Sequence, residues 1–237
     1  MNLVALQFES KNNFQNNLDK LITLINKTKS GDFILAPELV LTQYAYEQMD
    51  DAVLITNKAI PFLKELSHDK VIALTMITKE NGNYFNTLHI FNGGKIIHTQ
   101  SKLKLFSLGD EEKYFTSGSL DDIKIIDING IKVATLICFE LRFVELWKKI
   151  QGADIILVPA MWGKSRKEHY EALTKALAIC NQCYVIASDS SNKDMASGSG
   201  IITPFGEENR DDTKELIAQE FDSLLIKKMR RYLNIGI

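Results

Sequence analysis

Apolar and polar positions along this chain follow two periods. From Asn12 to Lys29 the apolar residues Phe14, Leu18, Leu21, Ile22 and Ile25 recur three or four apart, the spacing of a helix with one buried stripe, and Gly31 stops it. Similar patterns predict helices over Asn57–Leu66, Phe143–Ile150, Lys167–Asn181 and Ser223–Leu233. Between them lie short runs rich in β-branched residues, the composition of strands. These are Leu3–Phe8, Phe33–Glu38, Val71–Thr78, Tyr84–Phe91, Lys95–Thr99, Ile123–Ile128, Ile131–Cys138, Asp154–Pro159, Cys183–Ser188, Gly200–Thr203 and Leu216–Phe221. Asn92-Gly93-Gly94-Lys95 and Asn129-Gly130 are hairpin turns. Strands occur both in hairpins and alternating with helices, so a mixed sheet with helices outside is expected, an α/β fold. Ser101–Leu120 has no period and reads as a long loop, a place where function often sits. No repeat, low-complexity tract or linker divides the chain, and residues 1–237 are expected to form one domain.

Charge removes several function classes. Lys+Arg number 28 against Asp+Glu 30, a net charge of −2, so nothing basic points to nucleic acid or an anionic membrane. The N-terminus is too short and polar for a signal peptide, and no apolar run approaches the ~18 residues of a membrane span. Three cysteines are an odd count, against a disulfide framework. A cytoplasmic protein is the expectation.

Candidate chemistry gathers where apolar runs end. Cys138 closes Ile131–Ile137 and is followed at once by Glu140 and Arg142. Ligands in α/β sheets bind outside the carboxyl ends of strands, and a thiol there becomes a nucleophile when a base or cation stands near it. Glu38 and Lys102 end two other runs. A carboxylate can take a thiol's proton, and a lysine can stabilise the oxyanion formed when the thiolate attacks a carbonyl.

In order, these positions resemble the motif blocks of the nitrilase, or carbon–nitrogen hydrolase, superfamily. The blocks read Leu35-Ala36-Pro37-Glu38, Lys102-Leu103-Lys104-Leu105-Phe106 and Cys138-Phe139-Glu140-Leu141-Arg142-Phe143, with Glu111 in the intervening loop. Pro159-Ala160-Met161-Trp162, Asn181-Gln182-Cys183-Tyr184-Val185 and Ser197-Gly198-Ser199-Gly200 extend the match over nearly the whole chain. The resemblance implies a four-layer α-β-β-α sandwich of two mixed sheets and a Glu-Lys-Cys triad. Glu38 would be the general base, Lys102 the stabiliser of the tetrahedral intermediate and Cys138 the nucleophile. Glu111 would be a second carboxylate orienting lysine and substrate, and the backbone N–H of Phe139 an oxyanion donor. It further implies a homodimer, a small-molecule amide substrate, and no metal or organic cofactor. The chain departs from the family pattern at Lys104 (usually His), Glu140 (usually Asp), Val144 (usually Pro), Gln43 (often Gly), and Leu177 and Cys180 (usually Arg and Glu). The nucleophile block and Pro159-Ala160-Met161-Trp162 with Arg166 look most like the omega-amidase branch. Arg142 or Arg166 would then grip a substrate carboxylate, or else pair with Glu140 or Glu145 for structural reasons. N-carbamoyl-amine hydrolysis is the alternative within the enzyme class, and a catalytically silent binding or assembly relative the alternative outside it.

Other features have plainer readings. Cys180 and Cys183 form a CxxC at the C-terminal end of a helix, the wrong end to lower a thiol pKa, with no second pair to complete a zinc site; core packing explains them. The four histidines show no metal-ligand spacing, and His169 reads as a surface or satisfied core residue more readily than a pocket residue. Trp162 fits a core position or a pocket wall equally well.

Overall fold

The computed structural model describes residues 1–237. Twelve strands form two six-stranded sheets. The first contains β1 (Asn2–Leu6), β2 (Phe33–Leu35), β3 (Val71–Glu80), β4 (Asn83–Asn92), β5 (Lys95–Ser101) and β12 (Leu216–Glu220), in the order β12-β1-β2-β3-β4-β5. The second contains β6 (Ile126–Ile128), β7 (Ile131–Thr135), β8 (Ile155–Pro159), β9 (Tyr184–Ser188), β10 (Gly200–Ile202) and β11 (Glu208–Arg210), in the order β11-β10-β9-β8-β7-β6. In each sheet three neighbouring strands run parallel, β1-β2-β3 and β7-β8-β9, and the flanking pairs are antiparallel. This is the mixed arrangement expected from the pattern of hairpins and crossovers, present twice.

Alternation along β1 to β3 fixes the layering, because successive side chains point to opposite faces. Leu3, Ala5, Phe33, Leu35, Val71 and Ala73 join the cluster that also holds Val133, Ile155, Leu157, Tyr184 and Ile201 of the second sheet. Their neighbours Val4, Leu6, Ile34, Ile72 and Leu74 instead meet Leu18, Leu21 and Ile25 of α1 (Phe14–Asn26) and Ile55, Ala59 and Leu63 of α2 (Met49–Leu66). On the far side α5 (Lys167–Asn181) lies against β9 and β10, preceded by α4 (Val144–Lys149). The result is helix, sheet, sheet, helix. A four-residue α3 (Glu111–Tyr114) and a terminal α6 (Ser223–Tyr232) complete the chain; Arg230 of α6 reaches Asp154 at 3.2 Å.

Several boundaries differ from expectation. Helix α2 begins eight residues before Asn57, at Met49, and carries Pro61 in its interior. The loop after Ser101 is not structureless, since it holds α3. Only Ile126–Ile128 of the run from Ile123 pairs as strand, and β11 was not expected at all. Strands β2 and β7 each stop three residues short of Glu38 and Cys138. The apolar run continues in both cases, but the backbone leaves the ladder and turns. Cys180 is exposed at the end of α5, and only Cys183 is packed in the core, which corrects the common reading of the pair.

Candidate active site

The ends of the parallel strands converge on one cavity. Past β2, Pro37 and Glu38 turn away from the sheet: the Glu38 N–H donates to the Ala160 carbonyl beyond β8 at 3.2 Å, and the Leu39 N–H to the Thr75 hydroxyl of β3 at 2.7 Å. Leu39 and Gln43 both have positive φ, 47° and 55°. At Gln43 that is the left-handed region, where glycine is easiest and where the related pattern often has it. Past β7, Cys138 opens a 3₁₀ turn, Cys138–Arg142, with φ +48°. A non-glycine residue held in the left-handed region costs energy and is common at reactive positions. Lys102 follows β5 directly, its N–H donating to the Asn86 carbonyl at 2.8 Å.

Lys102 is wholly buried and is the hub. Its Nζ donates to Glu38 Oε1 at 2.8 Å and to Glu111 Oε1 at 2.7 Å, with the Tyr44 hydroxyl at a longer 3.4 Å. Tyr44 Oη donates to the same Glu111 oxygen at 2.7 Å, and Asn86 Nδ2 to Glu38 Oε1 at 2.8 Å. Each carboxylate is thus engaged through Oε1, while Glu38 Oε2 and Glu111 Oε2 are buried without a partner. Burial works against the Lys102 ammonium, but Glu38, Cys138 and Glu111 together outweigh it and hold its pKa above the ordinary lysine range. Burial raises Glu111 against the pull of Lys102. Burial also holds the Cys138 thiol well above its ordinary value, reinforced by Glu38 and opposed by Lys102 and the Met161 backbone N–H. This thiol therefore has no low pKa of its own.

Above Cys138 and Glu111 a cavity of about 220 Å³ opens, walled by Tyr44, Phe106, Phe139, Arg142, Trp162 and Arg166 among others. That is below the ~300 Å³ at which drug-sized sites begin, and suits a small acyl group. The Arg142 guanidinium lies 4.9 Å from the Trp162 ring centre, and that of Arg166 5.4 Å from Phe106. Neither pairs with Glu140 or Glu145. Glu140 is buried and accepts backbone N–H groups, and Glu145 faces Lys104 at 3.7 Å. Arg142 instead meets His169 Nδ1 at 3.2 Å, and His169 is an exposed surface residue, as expected. Trp162 is both nearly buried and a pocket wall, its Nε1 donating to the Arg166 carbonyl at 2.8 Å. No three His, Cys, Asp or Glu side chains converge as metal ligands would.

Some residues were missed. Asn86 stands in β4 among other polar residues, Asn83, Thr87 and His89, and so does not stand out. Tyr44 gave no signal either. Asp189, directly after β9, is buried and accepts the Trp162 N–H at 2.8 Å; burial pushes it up to about 7. Burial likewise pushes Glu140 to about 7, against the Ile137 and Leu103 N–H groups.

A sandwich of two mixed sheets with this buried cluster at their strand ends defines the class. Residues 3–230 match the carbon-nitrogen hydrolase family, and the chain belongs to it: it is an amide-hydrolysing enzyme. It is 33% identical over 215 residues to 2-oxoglutaramate amidase of Bacillus subtilis (strain 168), covering 85% of this chain and 82% of that one. It is 26% identical over 183 residues to omega-amidase YafV of Escherichia coli (strain K12), covering 74% and 70%. A branch 10 member of the nitrilase superfamily from Saccharomyces cerevisiae superposes with a TM-score of 0.87 at 22% identity, over 100% of this chain and 95% of that one, a likeness of fold.

Proposed function

We propose that the chain hydrolyses the terminal amide of small dicarboxylic acid monoamides through a thioester on Cys138. The observation that carries the reading is the cluster of Lys102, Glu38 and Glu111, wholly buried beneath the cavity onto which Cys138 opens. Glu38 Oε1 is occupied by Lys102 and Asn86, so its unpartnered Oε2 is the oxygen left to take the Cys138 proton. The thiolate adds to the amide carbon. The oxyanion is held by Lys102, whose third proton has only the distant Tyr44 oxygen, and by the Phe139 N–H. Glu38 passes its proton to the nitrogen, the C–N bond breaks, ammonia leaves and the thioester remains. Glu38 then deprotonates a water, which attacks the thioester carbon; the acid leaves and the proton returns to sulfur. The buried Glu111 Oε2 is available to accept an N–H of the substrate amide.

Arg142 and Arg166 on the cavity wall support a carboxylate at the far end of the substrate, since a guanidinium binds one through two parallel bonds. The amidase names of the relatives agree with this. The test compares a succinamate with a neutral amide of equal length, in wild type and in Arg142→Lys and Arg166→Lys. The charged substrate should be favoured, and one of the two variants should lose roughly 1–3 kcal/mol of that preference. Equal rates on both substrates in all three proteins would remove the monoamide assignment.

A further inference from the structure

Glu140 is wholly buried, two residues past the nucleophile, and makes no ion pair. An unpaired carboxylate in an apolar interior is costly unless hydrogen bonds satisfy it. Two do. Oε2 accepts the Ile137 N–H at 2.7 Å, and Oε1 accepts the Leu103 N–H at 2.6 Å. The first is local and ties down the turn that begins at Cys138. The second crosses between the sheets, because Leu103 follows Lys102 at the end of β5 whereas Ile137 precedes Cys138 beyond β7. One carboxylate therefore grips the residue before the thiol and the residue after the lysine. Peptide N–H groups adjoining both reacting side chains are fixed by a single rigid plane.

We propose that Glu140 is a positioning residue that sets the separation between the Cys138 sulfur and the Lys102 ammonium; this rests on the reading of Cys138 and Lys102 above. Two acceptors are required, since both partners are donors. A glutamine in its place would turn an NH₂ against one of the two N–H groups. An aspartate would keep the charge but is one methylene too short to span both. Neither change touches substrate, so the effect falls on the chemical step and not on binding.

The test uses the full chain as wild type, Glu140→Gln, Glu140→Asp and Cys138→Ala, with Glu145→Gln as a control at the exposed partner of Lys104. Two readouts are taken. One is kcat and KM on a succinamate. The other is the pH dependence of Cys138 alkylation by iodoacetamide, mapped by peptide mass because Cys180 is exposed. The titratable groups that face the thiol are Glu38, Lys102, Glu111, Tyr44 and Tyr170. Both Glu140 variants should lose at least about 10-fold in kcat with KM within about 3-fold, as expected for sub-ångström misplacement of reacting groups. Their alkylation midpoint should move to higher pH, because the cation that favours the thiolate sits farther away. Wild-type kcat and an unmoved alkylation profile in both variants would overturn the proposal. So would a fall in rate that merely tracks the folded fraction with the profile unmoved. Turnover surviving in Cys138→Ala would instead sink the reading of the site on which the proposal rests.

Discussion

Replacing Lys102 with methionine probes the buried cluster most sharply, because an unbranched side chain one atom shorter still fills most of the space while the charge and its N–H donors are lost. In the native protein one ammonium is shared by Glu38 at 2.8 Å and Glu111 at 2.7 Å, with 0% of the lysine side chain exposed. Removing one partner of a buried ion pair costs ~3–5 kcal/mol, since the charge left behind has neither water nor counter-ion. Here two carboxylates are left behind, and they have an escape: one can take up a proton. The variant then contains a carboxyl whose folded pKa lies well above the unfolded value of about 4.3 for glutamate. Folded protein binds a proton that unfolded protein lacks in that interval, so the variant's stability falls as pH rises through it. Urea unfolding at pH 5 and pH 8 should show a gap from wild type that is small at the lower pH and opens to about 3 kcal/mol at the higher. The same protein should lose at least ~10²-fold in acylation rate, the magnitude of removing one oxyanion donor. A stability gap equal at both pH values, or activity within tenfold of wild type, would refute the reasoning.

Two further outcomes follow from the same structure. Burial holds Asp189 at about 7, above an ordinary aspartate near 3.9, so wild type should lose stability relative to Asp189→Asn as pH rises from about 4 to about 7; a difference independent of pH by chemical denaturation would discard a buried ionising Asp189. Lys104→Ala removes a 3.7 Å contact to Glu145 between side chains that are 34% and 64% exposed, and should cost under about 1 kcal/mol and leave turnover within a few-fold; an activity loss exceeding that of Lys102→Met would show that the lysine block is misregistered.

What could be read from the chain and what could not separate along physical lines. Strands β1, β3, β4 and β8 and helices α1 and α5 were legible within a few residues, because burial on one or both faces writes a period into the sequence. The start of α2 was not, since Met49–Thr56 mixes acidic and apolar residues without a clean cap. The ends of β2 and β7 were overrun because hydrophobicity reports burial and not hydrogen bonding, and the segments leading to Glu38 and Cys138 stay buried after they leave the ladder. That the chain carries two sheets followed from resemblance, as periodicity alone counts strands without saying which of them pair. The site divides similarly. Glu38, Lys102, Glu111 and Cys138 stand in recognisable blocks, and the structure gathers the first three by hydrogen bonds under a cavity that Cys138 lines. Asn86 lies in a strand of mixed polarity, Tyr44 in the mixed stretch Thr42–Gln48 and Asp189 beside Ser188, Ser190 and Ser191, so none stands out in the sequence, and only the packing reveals that each meets a group at the site. The partners of Glu140, Leu103 and Ile137, are 37 and 3 residues away, so half of that contact was beyond any local pattern.

The central claim is that Cys138 carries the acyl group. Rapid acid quenching of wild type during turnover of a succinamate, followed by peptide mapping, tests it directly. The account predicts a mass increase equal to the succinyl group on the peptide containing Cys138, absent from Cys138→Ala, which should also have lost turnover. An acyl group on another residue, or turnover by Cys138→Ala at more than a few per cent of the wild-type rate, a residue far above what loss of a covalent nucleophile leaves, would contradict it.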